Sequence, residues 1–210
     1  MVLVLEEEDP KSIKHVVREL KSGGLVAIPC DTVYSLSCDA TDEEAVARLF
    51  EAKERPPDKP VSVAVHDPED AMKLLEENEL VRKAFELLTP GPVTVVARMR
   101  EDSPIAPNVT AGRRTLGVRV PDHPFFLRVV RKLGKPIVTT SANVSGEPAP
   151  SSPDEVLEQL GDRIDVLVEG KCKYRRPSTV IEITGSRIEI IREGVVPRDD
   201  VLKTLGVTTR

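Results

Sequence analysis

The chain has 210 residues, 40% hydrophobic and 31% charged, with a formal net charge of -5. That content supports a single α/β domain over 1–210 with a full apolar core, and it excludes a disordered chain. Aromatic residues make up 3% and Trp is absent, so Val, Ile and Leu build the core and the stacking surface of a single-strand RNA binder is poorly supplied.

The opening "MVLVLEEEDPK" has no basic leader, and its apolar run is too short for a signal peptide. No segment reaches the length of a membrane span, so a cytoplasmic protein without a membrane partner is expected. Asp9-Pro10, then Ile13, Val16, Val17 and Leu20 ahead of Gly23-Gly24, read as a capped helix with a glycine stop. The strand "LVAIP" follows. Thr41 and Glu44 form a capping-box pattern before Val46, Leu49 and Phe50, which puts Lys53 at the end of a second helix. "VSVAV" reads as a strand, 68–88 as one or two helices, and "VTVVAR" as another strand.

Further on, "TLGVRV" predicts a strand, "HPFFLRVVRKLG" a helix and "PIVTTSA" a strand that ends abruptly in Ser141, Asn143 and Ser145. Ser152, Pro153 and Glu155 cap the helix "DEVLEQLG". "IDVLVEG", "STVIEIT" and "RIEIIREG" are strands, the last two a hairpin through Gly185-Ser186, and "PRDDVLKTLG" closes the chain as a helix. Alternating strands and helices with a late hairpin predict a mixed sheet.

Neither GxxxxGK[ST] nor a GxGxxG turn is present, which disfavours P-loop and Rossmann enzymes. His15, His66 and His123 lack metal-ligand spacing, no GxSxG accompanies Ser141, and Cys30, Cys38 and Cys172 show no CxxC pair. Free thiols and no protein metal site are therefore expected. The basic residues bunch in "KERPPDK", "GRR" and "KCKYRR", a distribution suited to a compact polyanion such as a nucleotide. Strand ends carry small polar groups: Asp31, Thr32 and Tyr34 after one, and "TTSAN" after another. Open α/β sheets gather ligands at such ends. Turns and caps favour the same residue types, so a single loop of this kind carries little weight.

Taken together, "IPCDTVYSLSCDA", "AKERPPDKP", "TPGPVTVVA", "GVRVPDHP", "TTSANVSGEPAPSS", "RPSTVIEI" and "IREG" occur in the order that identifies the chain as resembling the YrdC family over residues 11–196. The resemblance implies a YrdC-like fold, a twisted mixed parallel and antiparallel sheet with flanking helices around a cationic cavity. It implies a nucleotidyltransferase, threonylcarbamoyl-AMP synthase, which makes threonylcarbamoyl-adenylate and pyrophosphate from L-threonine, bicarbonate and ATP, with Mg2+ accompanying ATP. The product would pass to a downstream complex that builds threonylcarbamoyladenosine in tRNA. Residue by residue, it implies catalytic Lys53 and Arg55, a threonine site of Thr32, His66, Arg119, Thr139 and Thr179, and an ATP site of Lys53, Arg55, Lys59, Thr115, Ser141, Asn143 and Arg192.

Physical chemistry suits that division. A forked guanidinium at Arg119 matches a carboxylate, and cations from the "KERPPDK" loop match phosphoryl transfer, which needs positioning and charge stabilisation more than a protein nucleophile. Gly146 would let the chain turn away beside the nucleotide, and "GEPAPSS" and "KCKYRR" would cover the cavity. Where relatives commonly have "PTDTVYGLG", this chain has Ser35 and Ser37 in place of two glycines. Two alternatives remain at this point: a module that grips double-stranded RNA or tRNA without catalysis, and a carbamoyl-transfer domain like the YrdC-like segments of hydrogenase-maturation proteins.

Overall fold

The computed structural model describes residues 2–207. Among these, ten strands form one mixed sheet, in the order β1-β8-β2-β3-β7-β4-β6-β5-β9-β10. The strands are β1 (Leu3–Glu6), β2 (Val26–Ile28), β3 (Ser35–Ser37), β4 (Ser62–Ala64), β5 (Val93–Arg98), β6 (Thr115–Arg119), β7 (Ile137–Ser141), β8 (Val166–Glu169), β9 (Thr179–Thr184) and β10 (Arg187–Arg192). The helices are α1 (Ser12–Lys21), α2 (Glu43–Ala52), α3 (Pro68–Leu74), α4 (Glu79–Leu88), α5 (Pro124–Leu133), α6 (Pro153–Leu160) and α7 (Arg198–Leu205). β1, β2 and β8 run parallel, as do β4 with β6 and β5 with β9, whereas β3 and β7 pair antiparallel with their neighbours. The predicted mixed sheet and the late hairpin are both present.

Two local expectations change. Asp42, not Thr41, caps α2: its carboxylate accepts the Glu44 and Ala45 amides at 3.0 and 3.1 Å. Thr41 is drawn instead to Asp39, donating its hydroxyl at 2.7 Å. Both residue types cap well, and the one with extended backbone at the boundary does so. α1 starts at Ser12 with no side-chain cap, while the Asp9 carboxylate accepts the Lys11 amide at 2.8 Å and its main-chain carbonyl the Ser12 amide at 3.0 Å. Its glycine stop is real, since Gly23 has φ +78°. The opening "LVLE" is a strand, β1, which no periodicity announced because its partner β8 lies far along the chain.

Directly paired residues in a sheet share a face. On one face Leu36, Val63, Leu116, Val118, Val95 and Ile181 join a large apolar core. The other face is divided. At one end Val26, Ile28, Ala64 and Ile137 pack with Val16, Leu20, Phe125 and Phe126 of α1 and α5 into a second core. Further along the same strands the register places Ser35, Ser62, Thr139 and Ser141, and then Arg119, Thr94 and the bare Gly117. The hydroxyls at the end of β7 are thus the polar continuation of an apolar sheet face, and they floor a cavity.

Candidate active site

That cavity measures about 250 Å³ and is lined by Thr32, Tyr34, Ser35, Arg55, Ser62, Thr94, Arg119, Thr139, Ser141, Ser178 and Arg192, among others. Three arginines and no carboxylate line it, so it presents positive potential in a partly desolvated space.

Arg119 ends β6. One guanidinium nitrogen donates to the Asp31 carboxylate at 2.6 Å and another to the Thr32 hydroxyl at 3.0 Å. Asp31 also accepts the Asp122 amide at 3.2 Å and the Cys30 thiol at 3.1 Å. Arg119 Nε is buried without a partner. Burial pushes the Cys30 thiol up to about 12, so this cysteine is a neutral packing group. Beside Arg119, Thr139 exchanges a hydrogen bond with Ser35 at 3.0 Å, and Ser35 another with Ser37 at 3.2 Å. Ser35 and Ser37 lie in extended backbone within β3, and neither is among the residues with positive φ, so no glycine is required there.

Arg55 follows α2, and its Nε and Nη2 donate to the carbonyls of Lys59 and Pro60 at 3.0 and 2.8 Å. Those bonds brace the guanidinium against its own loop. Arg192 ends β10 just past a bulge, a device that re-aims a side chain. Its Nε and Nη2 reach the Ser178 carbonyl at 3.2 and 2.9 Å, and Ser178 in turn bonds Thr94 at 2.9 Å. Burial lowers the pKa of both arginines, and for Arg192 the Arg119 charge adds to the effect. Like-charged groups held together in this way favour an anion between them.

Of the residues named from the resemblance, Thr32, Arg55, Arg119, Thr139, Ser141 and Arg192 line this one cavity. Other candidates do not. His66 lies in a separate cleft with Asp70, Lys73, Arg131 and Lys135. Thr115 stands at the far end of β6 from Arg119, about 13 Å away at strand rise, beside Glu76, Arg98 and Arg114. Thr179 is fully buried. Its hydroxyl donates to the Val196 carbonyl at 2.6 Å and accepts the Gly194 and Val196 amides at 3.0 and 3.1 Å, which commits it to the turn after Arg192. Lys59 is exposed. Lys53 and Asn143 are buried next to the cavity without lining it. Burial, with the Arg55 charge, pulls the Lys53 ammonium down to about 7.

Gly146 does turn the chain with φ +98°. The two stretches expected to cover the cavity meet each other, Arg175 Nε donating to the Ser151 hydroxyl at 3.2 Å, and the Tyr174 amide is tied to the Asp31 carbonyl at 2.8 Å. Neither stretch lines the cavity itself. Ser62, Thr94 and Ser178 do line it without having been singled out; for the first two the available signal was their alternation with Val63 and Val95 along strands that otherwise read as apolar.

The family model named Sua5_yciO_yrdC and described as "Telomere recombination" matches residues 18–194. A Methanocaldococcus jannaschii protein provisionally named threonylcarbamoyl-AMP synthase is 36% identical over 194 residues, covering 91% of this chain and 90% of that protein. The Bacillus subtilis threonylcarbamoyl-AMP synthase is 36% identical over 170 residues, 79% of this chain but 48% of its own length, so the chain spans about half of that relative. Among solved structures, Pyrococcus abyssi Sua5 complexed with L-threonine superposes with TM-score 0.91 at 32% identity, over 98% of this chain and 61% of Sua5. T. kodakarensis HypF gives TM-score 0.77 at 27% identity over 89% of this chain and 24% of its own. E. coli YciO, at 23% identity and TM-score 0.85 over 98% of both chains, shares the fold. With a family model covering most of its length and these relatives beside it, the chain belongs to the Sua5/YciO/YrdC family.

Proposed function

We propose that the protein is a threonylcarbamoyl-AMP synthase that supplies threonylcarbamoyl-adenylate for the modification of tRNA. The observation that carries this reading is one cavity in which a carboxylate-type site, Arg119 with Thr32 and Thr139, adjoins a polyphosphate-type site, Arg55 and Arg192, with no acidic residue on the wall. The L-threonine complex of Pyrococcus abyssi Sua5 supports the first half of it.

In this reading Arg119 receives the threonine carboxylate, and the hydroxyls of Thr32 and Thr139 complete the site. The amine takes up carbon dioxide derived from bicarbonate and becomes a carbamate. A carbamate oxygen then attacks the α-phosphorus, the bond to the bridging oxygen breaks, and pyrophosphate leaves. Charge grows on the leaving oxygens, where Arg55 and Arg192 are pre-placed by their carbonyl partners and need little reorganisation. No protein nucleophile is required. Among the described residues no cluster of His, Cys, Asp or Glu could hold a metal ion, and the cavity wall has no carboxylate. With no carboxylate on the wall to hold it, Mg2+ in this reading is brought by the ATP phosphates.

The test is pyrophosphate release from Mg-ATP and bicarbonate with and without L-threonine, followed by mass analysis of the product. Threonine-dependent release with the mass of threonylcarbamoyl-adenylate is expected. Release that requires carbamoyl phosphate instead would favour the carbamoyl-transfer reading, which the likeness to HypF supports. No turnover, with salt-sensitive tRNA binding, would favour the non-catalytic RNA module.

A further inference from the structure

The loop after β7 is held from both sides by groups that do not line the cavity. On one side is Lys53, which ends α2 and is 1% exposed. Its ammonium donates to the main-chain carbonyls of Ser141 and, at 2.8 Å, Asn143, while its own carbonyl accepts the Ser145 amide at 2.7 Å. On the other side is Gln159 of α6, whose side chain accepts the Val144 amide at 3.1 Å and donates to the Pro148 carbonyl at 3.0 Å. Between them Asn143 closes the loop on itself, donating to the Val144 and Glu147 carbonyls at 2.9 Å each.

We infer that Lys53 and Gln159 are positioning residues that staple the Ser141–Pro148 loop, so that Lys53 acts on the nucleotide through Ser141 rather than by touching phosphate. This rests on the synthase reading for the identity of the ligand, but not for the staple itself.

The chemistry explains the choice of lysine. The chain leaves the sheet at Ser141 and turns sharply, which brings buried main-chain carbonyls together. Each would cost about 1–3 kcal/mol if left without a donor. A lysine side chain offers on a long stem three N–H donors as the ammonium and two as the neutral amine, and two are used here. A leucine would fill the volume and leave both carbonyls unpaired. Gln159 has the complementary inventory, a carbonyl oxygen that accepts an amide and an NH2 group that donates to a carbonyl, and each is used once. Ser141, whose carbonyl Lys53 holds, lines the cavity at the start of this loop.

The experiment compares Lys53→Met, which keeps length and removes the donors, with Gln159→Leu, on an element outside the cavity. Three readouts are taken: hydrogen exchange of the Val144 and Ser145 amides, ATP affinity by calorimetry, and the Michaelis constants for ATP and threonine beside kcat. Both variants are expected to expose the two amides and to weaken ATP by about tenfold, or about 1.4 kcal/mol, while the threonine KM stays within about twofold. If Lys53→Met instead keeps wild-type exchange and wild-type ATP affinity but loses turnover, Lys53 touches the reacting atoms and the proposal fails. Wild-type behaviour of Gln159→Leu removes Gln159 from it. Should Lys53→Met not fold, Gln159→Leu decides on its own. Should the wild-type protein bind no ATP, the synthase reading fails, and amide exchange still decides the staple.

Discussion

Arg119, which lines the cavity, and Asp31, which does not, form an ion pair at 2.6 Å, with side chains 6% and 0% exposed. A pair so far from water is sensitive to the loss of one partner, because the survivor becomes an uncompensated buried charge. Asp31→Ala is therefore expected to cost about 3–5 kcal/mol of stability and to free Arg119 from its orientation toward Thr32. Urea denaturation measures the first effect and the threonine KM of any folded fraction the second. A loss below about 1 kcal/mol would mean that water reaches the pair and that Asp31 does not hold the guanidinium.

Gly117 is the one bare position on the cavity face of β6. A Cβ built there would lie 2.5 Å from the Ser62 hydroxyl oxygen and 3.4 Å from Thr94 Cγ2, both of which belong to cavity-lining residues. Gly117→Ala should push Ser62 into the space a ligand needs, at a stability cost of about 1–3 kcal/mol typical of overpacking. The expected result is a folded protein whose affinity for threonine or ATP falls at least about tenfold, equal to about 1.4 kcal/mol. Calorimetry that finds wild-type affinity for both would show that the floor has slack.

Why some of this was legible in sequence and some was not follows from where the information sits. Helices such as α5 announce themselves by apolar spacing and a glycine stop at Gly134, which has φ +72°. The short strands β1 and β3 do not, because three or four residues carry no period and their pairing is long-range. Arg119, Thr32, Thr139 and Ser141, taken from motif order, line the cavity, whereas His66 and Thr115, taken from the same motifs, stand where the cavity does not reach. Position along the strand, not phase, decides that difference: His66 is in phase with Ser62 and Ala64 but follows after β4 has ended, and Thr115 is in phase with Arg119 but stands at the opposite end of β6. Lys53 has the charge of a phosphate ligand and the position of a staple, and only coordinates separate the two.

Ser35 gives a third prediction. Its hydroxyl links Ser37 and Thr139 in one chain of hydrogen bonds beside Arg119, at 3.2 and 3.0 Å. Ser35→Ala removes two such bonds, each worth about 1 kcal/mol, and leaves the Thr139 hydroxyl free to rotate. The threonine KM should rise several-fold while the ATP KM is unchanged, because the phosphate-side arginines are braced by other carbonyls. Equal rises in both constants would point to a general loosening of the sheet and sink the assignment of Thr139 to the amino-acid side.

Lys53 gives a fourth, in which the sign can be worked out. Burial holds its folded pKa near 7, against about 10.4 for a lysine in an unfolded chain. Between those values the unfolded state binds the proton and the folded state has released it, so stability contributed by this group rises with pH, by at most about 1.4 kcal/mol per unit. Below pH 7 the burial cost is present in full. The buried thiols act in the opposite direction, since Cys30 is pushed up to about 12 and Cys172 to about 11, and their unfolded forms ionise from about pH 8.5 upward. The clean window is therefore about pH 7 to 8.5. Across it the stability of the wild-type protein, measured by urea denaturation, should gain on that of Lys53→Met, whose residue 53 has nothing to titrate. Two curves that stay parallel through this range would mean that the carbonyls of Ser141 and Asn143 keep the ammonium charged despite its burial.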